Sequence, residues 1–205
     1  MARKHNHDEK EMKASPATKE RTGDRAAGGG RPGPREQHRT GHHPTPSNQR
    51  HPASPLHEQK QPRPGIEANL QHKPQYQAPA YRAAGKLEGK VAIVTGGDSG
   101  IGRAIAVLYA REGADVAIMY LPDEQVDADE TRHAVEAEGR RCLTIPGDVR
   151  DSNFCRAAVE RTVRQFGRLD ILVNNAAYQH HQKSLADISD DQLEQTFHTN
   201  IFGYF

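Results

Sequence analysis

Thr95-Gly-Gly-Asp-Ser-Gly-Ile-Gly102 stands between the apolar run Val91-Ala-Ile-Val94 and the segment Arg103-Ala-Ile-Ala-Val-Leu-Tyr-Ala110. A continuous β-branched run marks a strand buried on both faces, as in a parallel sheet. Ile101, Ala104, Ile105 and Leu108 recur at the 3.6-residue period of a helix packed on that sheet. The glycines between them allow a tight turn in which backbone approaches an anion, and the helix N-terminus offers it unpaired N–H groups and positive dipole. The order strand, turn, helix points to dinucleotide binding. The spacing departs from G-x-G-x-x-G, because three residues separate Gly96 from Gly100 and one separates Gly100 from Gly102. A glycine cluster alone fits a surface turn equally well, so the rest of the chain must decide.

Composition divides the 205 residues near Lys86. Eleven of the thirteen prolines and eight of the twelve histidines precede that point, where aliphatic clusters are almost lacking. Residues 1–85 therefore read as a Pro/His/Arg-rich extension that cannot form a core, disordered to about residue 61, with 62–85 packed along the domain surface. Residues 1–85 carry fifteen basic against eight acidic side chains and the remainder thirteen against nineteen, so the near-neutral total hides a basic arm on an acidic domain. The arm's charges are dispersed among acids and lack aromatic neighbours, which argues against a nucleic-acid partner. His42-His43 and the scattered histidines lack fixed ligand spacing, so no metal site is expected. No stretch has the length of a membrane span and the first residues lack the apolar region of a secretory signal, so a cytoplasmic location with no membrane partner is expected. Cys142 and Cys155 are expected to be buried, reduced thiols.

The globular segment, residues 86–205, alternates strands and helices. After the first unit come a strand at Asp115–Tyr120, a helix from about Asp123 to Glu138 and a strand at Cys142–Ile145. A helix capped by Asp151 or Ser152 follows, with Cys155, Ala158, Val159, Thr162, Val163 and Phe166 on one stripe, and it stops at Gly167 before a strand at Asp170–Val173. Ser189-Asp-Asp-Gln192 reads as a capping box opening a last helix whose apolar positions are Leu193, Phe197, Ile201 and Phe205. The pattern βαβαβαβ predicts the α/β class: a doubly wound parallel sheet whose ligand crevice lies at the carboxyl ends of the strands. Such a fold continues beyond a fourth strand and its following helix, so the sequence reads as a fragment.

Four motifs agree in order and spacing: the Thr95–Gly102 turn, Gly147-Asp148-Val149 after strand three, Asn174-Asn-Ala-Ala177 after strand four, and Asn200 in the last helix. Together they resemble the short-chain dehydrogenase/reductase family over residues 86–205. The Asn-Asn-Ala-Ala-Tyr-Gln run and the Pro-Gly-containing lead-in from about Pro62 resemble, more narrowly, bacterial glucose/ribitol-dehydrogenase-like members. The resemblance implies a Rossmann-type fold, NAD or NADP as cofactor, and hydride transfer between nicotinamide and an alcohol or carbonyl substrate such as a sugar, polyol or aldehyde. It also implies a small-molecule substrate and a homo-oligomer for the complete protein. Gly96, Gly100 and Gly102 keep the turn open, while Asp98, Ser99 and Ile101 present backbone N–H groups or side-chain dipoles to phosphates and ribose; Asp98 equally suits a plain turn former.

Asp148 and Val149 are implied to receive the adenine amino group and to cover its ring. Asn174 and Asn175 can donate and accept at once, which suits bridging the central strand to its neighbour. Ala176 leaves room for the cofactor, and Ala177 stands where the family usually has glycine. Tyr120, at the end of strand two, is a cofactor-binding candidate, and because Tyr120-Leu121 is neither acidic nor basic, weak discrimination between NAD and NADP is expected. Asn200 is implied to be the catalytic helix residue that holds a water in a proton relay, although a satisfied amide describes the same placement. Tyr178, His180 and His181 fall in the loop facing substrate, where exposed loop polarity is the favoured explanation over substrate contact. The family's catalytic serine and Tyr-x-x-x-Lys pair belong beyond this helix, and residues 201–205 contain neither, so the fragment is expected to be inactive. The alternative function is a non-catalytic nucleotide-sensing or interaction protein that kept the fold.

Overall fold

The computed structural model describes residues 58–205. The expected disorder of residues 1–57 and the His42-His43 pair lie outside the described residues. Strands β1 (Val91–Thr95), β2 (Asp115–Tyr120), β3 (Cys142–Pro146) and β4 (Ile171–Val173) form one parallel sheet in the order β3-β2-β1-β4. The chain steps outward from β1 to β3 and then returns to pair β4 on the other side of β1. That reversal opens a crevice at the carboxyl ends of β1 and β4.

Helices α1 (Gly100–Arg111) and α2 (Gln125–Ala137) cover one face, and α3 (Ser152–Phe166) covers the other. Successive strand side chains point to opposite faces. Val94, Val116, Ile118 and Tyr120 therefore pack with Ala106, Val107, Ala110 and Val135, whereas Ile93, Ala117, Met119 and Ile145 pack with Ala158. Both faces being covered accounts for the unbroken apolar runs of β1 and β2. Asp151 caps α3 by accepting from the Asn153 N–H, and Gly167 ends it in the left-handed conformation, φ +85°. No helix among the described residues is long and apolar enough to cross a membrane.

Several expectations are corrected. The buried side of α1 is Gly102, Arg103, Ala106, Val107 and Ala110; of the expected stripe, Ile105 packs against the edge of the core while Ile101 is 74% exposed. Small residues at 106 and 110 let the helix lie close to β1 and β2, and a buried ionic cluster at Arg103 sets its rotation. The second helix starts later than Asp123 because Pro122–Glu124 forms a 3-10 turn. On α3, Ala158 and Thr162 are buried while Val159 and Val163 are exposed. The last helix, α4 (Asp190–Asn200), stops where Ile201 adopts φ −119°, so Phe205 leaves the stripe; Leu193, Phe197 and Ile201 are exposed. Cys142 and Cys155 are free but only half-buried. Burial pushes the Cys142 thiol up to about 12, which keeps it protonated and unreactive near neutral pH.

Residues 58–90 hold one helical element, a 3-10 helix at Glu67–Asn69, and hydrogen-bonded turns near Ala78 and Leu87. Most of the segment is exposed, and it is anchored to the domain at two points. Glu67 is only 6% exposed, and the Glu112 carboxylate accepts from the Ala84 and Lys86 N–H groups and from the Tyr81 hydroxyl.

Candidate functional site

A cavity of about 360 Å³ opens at the carboxyl ends of the strands. Its floor is the turn after β1, with Gly96, Asp98, Ser99, Gly100, Ile101 and Gly102 all lining it. Tyr120 enters from the end of β2, Asp148 and Val149 from the segment after β3, and Ala176 from the segment after β4. Residues far apart in sequence thus meet because every crossover returns the chain to the same end of the sheet.

The turn is fixed from both sides. The Gly96 and Gly97 N–H groups donate to the Met119 carbonyl at 2.7 and 3.3 Å. Asn175 Nδ2 donates to the carbonyls of Thr95 and Gly96, both at 2.9 Å, and the Asn175 and Ala176 N–H groups donate to Thr95 Oγ1 at 3.0 and 2.9 Å. The expected bridge between β1 and β4 is therefore made by Asn175. Asn174 points to the other side of β4, into a groove with Val159 and Tyr204, and its Nδ2 lies 3.5 Å from the Tyr204 carbonyl. Adjacent residues at a strand end face opposite ways, so one of the pair had to turn away.

Gly96 and Gly102 show why this turn is built of glycine. Gly96 adopts φ +60°, and a Cβ there would lie 3.1 Å from both Ala176 Cα and Asn175 Nδ2. At Gly102 a Cβ would fall 1.8 Å from the Gly96 carbonyl oxygen. The first turn of α1 also has open donors. Gly100 N–H donates to Glu67 Oε2 at 2.7 Å and Arg103 N–H to the Ser99 carbonyl at 3.0 Å, while the N–H groups of Ile101 and Gly102 take no partner among the described residues. Two open N–H groups at a helix N-terminus, beside glycines that exclude side chains, fit a pyrophosphate.

The acids around the cavity differ in character. Burial opposes the charge on Asp148, but hydrogen bonds from the Arg150 side chain and N–H outweigh it and hold the carboxyl below its usual range. Asp98 shifts upward, chiefly through burial, with Asp127 nearby adding to the effect. Its backbone carbonyl accepts from Arg103 Nε and Nη2 and from Thr131 Oγ1. Sequence reasoning missed Glu124, which lines the same cavity. Burial, reinforced by Asp98, Asp127 and Asp123, pushes its carboxyl up to about 7 despite the hydrogen bond it accepts from the Leu121 N–H. In the sequence it reads as an ordinary first-turn acid after Pro122, so no local signal marked it.

Asn200 closes on the loop after β4 rather than on the cavity. Its Oδ1 accepts from the Tyr178 N–H at 2.7 Å and its Nδ2 donates to the Tyr178 carbonyl at 2.9 Å. The amide clamps that loop and thereby places Tyr178 on the cavity wall, whereas His180 and His181 do not line it. Tyr204, near Asn174, donates to the Ala176 carbonyl at 3.3 Å.

Comparison with known proteins agrees with this geometry. The family model described as short chain dehydrogenase matches residues 90–205. The chain is 58% identical over 151 residues to the Bacillus subtilis (strain 168) protein named "Uncharacterized oxidoreductase YhdF", an overlap of 74% of this chain and 51% of that protein. Among solved structures, a short chain dehydrogenase from Burkholderia cenocepacia J2315 in complex with NADP superposes with a TM-score of 0.55 at 43% identity, covering 58% of this chain and 47% of that one. A short chain dehydrogenase from Mycobacterium paratuberculosis bound to NAD gives a TM-score of 0.54 at 37% identity, covering 58% and 47%. The chain spans about half the length of the curated relatives it matches. Since the family model covers more than half of its residues, with the glycine turn, the Asp148 segment and the Asn175 bridge all inside the match, the chain belongs to the short chain dehydrogenase family.

Proposed function

We propose that residues 86–205 form the cofactor half of an NAD- or NADP-dependent oxidoreductase that transfers a hydride between the nicotinamide and an alcohol or carbonyl compound. The observation that carries this reading is the pair of open N–H groups on Ile101 and Gly102 at the floor of the cavity. They take the pyrophosphate, with Gly96, Gly100 and Ser99 shaping the turn around it. Asp148 uses an acceptor position left free by Arg150 for the adenine amino group, Val149 covers the ring, and Tyr120 closes the ribose end. Ala176 leaves space at the nicotinamide end. Asn174, turned to the other face, acts on the cofactor only indirectly, and Asn200 acts by holding the Tyr178 backbone. The bound dinucleotide supplies the hydride chemistry, and the protein orients it. A proton at the substrate oxygen is assigned to a tyrosine with a neighbouring lysine in the continuing sequence.

The whole protein is proposed to act in the cytoplasm, as a homo-oligomer, on a small molecule. The exposed apolar side chains of α3 and α4 support further packing surfaces there. The reading is tested by purifying this chain and the full-length protein and following nicotinamide absorbance with sugars, polyols and aldehydes. Turnover by the full-length protein alone is expected. Turnover by the 205-residue chain would contradict the division of roles. A full-length protein that binds cofactor but transforms nothing would favour a nucleotide-sensing protein instead.

Glu124 adds a cofactor prediction. Its folded carboxyl keeps its proton to about 7, whereas an unfolded one releases it near 4.5, so rising pH through that window charges a half-buried site and disfavours the fold. The same charge, at the ribose end of the cavity, repels the 2′-phosphate of NADP. The NADPH/NADH affinity ratio is expected to fall by about threefold to tenfold between pH 6 and pH 8 and to fall less in Glu124→Gln. Part of the slope belongs to the phosphate itself, which titrates near pH 6. Equal slopes in the wild type and Glu124→Gln would place Glu124 away from the ribose.

A further inference from the structure

Arg103 is fully buried on α1, and one of its main partners comes from outside the α/β unit. Glu67 Oε1 meets Arg103 Nη1 at 2.5 Å while Glu67 Oε2 accepts from the Gly100 N–H. The rest of the guanidinium is held by the Asp98 carbonyl, Thr131 Oγ1, the Asp127 carbonyl and Glu130 Oε1. Asp127 in turn accepts from the Glu67 and Ala68 N–H groups at 2.6 and 2.9 Å, and the Tyr76 ring lies 5.1 Å from the guanidinium carbon. At the other end of the same segment, Arg63 stacks 4.2 Å over the ring of Tyr178 and donates to the Gln179 carbonyl. Residues 63–76 therefore tie the loop after β4 to the N-terminus of α1, and those two elements bound the cavity.

Glu67 reaches the anion-binding turn by two routes. One is direct: it occupies the Gly100 N–H, which sits beside the two open N–H groups. The other runs through Arg103, whose Nε and Nη2 grip the Asp98 carbonyl and so set the orientation of the turn's peptides. We propose that Glu67 is a positioning residue of the dinucleotide site and that residues 63–76 are a working part of that site. This rests on reading the cavity as a cofactor site. A strap that only stabilised the fold would change the melting temperature and leave cofactor affinity alone.

The test uses the full-length protein and its Glu67→Ala, Glu67→Gln and Glu67→Asp variants, titrated with NADH and NADPH by nicotinamide fluorescence and assayed for kcat and KM. Glu67→Ala should raise both dissociation constants by about tenfold or more, Glu67→Gln, which keeps an acceptor but loses the ion pair, by about threefold to tenfold, and Glu67→Asp by less than either. At saturating cofactor kcat should stay within about twofold in all three. In the wild type, bound cofactor should slow exchange of the Glu67 and Ala68 amides by about fivefold or more. Folded Glu67→Ala with wild-type affinity overturns the proposal, and so does unchanged exchange at those amides in cofactor-saturated wild type; that exchange decides alone if the variants do not fold. A wild type that binds neither cofactor overturns the reading of the cavity itself.

Discussion

Adding a single methyl group at Gly102 is expected to weaken NADH binding by about a hundredfold or more, equivalent to about 2.7 kcal/mol. The new Cβ of Gly102→Ala would stand 1.8 Å from the Gly96 carbonyl oxygen and 2.8 Å from Asn175 Nδ2. Neither neighbour is the free end of a flexible side chain. The oxygen is backbone, and Asn175 is committed to the carbonyls of Thr95 and Gly96. The turn must therefore open, moving the Ile101 and Gly102 N–H groups off the pyrophosphate. Overpacking of this kind also costs about 1–3 kcal/mol of stability. Fluorescence titration of NADH, with a thermal melt of the same sample, checks both effects. Wild-type affinity in a folded Gly102→Ala would show that the phosphates bind elsewhere.

The largest loss of stability is expected for Arg103→Met. Methionine fills most of the space but leaves Glu67, Asp127 and the Asp98 carbonyl facing an apolar side chain. Removing one partner of a buried ion pair typically costs about 3–5 kcal/mol, because the remaining charge stays desolvated. For a unit of this size that corresponds to a melting temperature lower by about 10 °C. Thermal and urea unfolding of the full-length variant would show it. A loss below about 1 kcal/mol would mean that water already reaches the cluster and that the carboxylates do not depend on Arg103.

Legibility followed the range of the interactions involved. Strands β1 and β2 were readable because a sheet covered on both faces demands unbroken apolar runs, and α3 because Asp151 and Gly167 act on backbone groups within a few residues. The turn was readable because close backbone approach leaves only glycine. The face of α1 was misassigned, since a buried arginine looks like a solvent-facing one until its partner is known. That partner, Glu67, lies 36 residues earlier in a segment with no periodicity. The site shows the same limit. Asn174 and Asn175 offer identical chemistry, and only the direction of each at the end of β4 separates the one that bridges from the one that does not. Glu124 sits on the cavity through the geometry of a 3-10 turn that no capping signal announced.

Amide exchange at Ile101 and Gly102 in the full-length protein, measured with and without NADH, tests the central claim most directly. Both N–H groups lack partners among the described residues, so they should exchange readily without cofactor and about tenfold or more slowly once it is bound. Saturable NADH binding that leaves both amides unprotected would contradict the assignment of this turn as the pyrophosphate site.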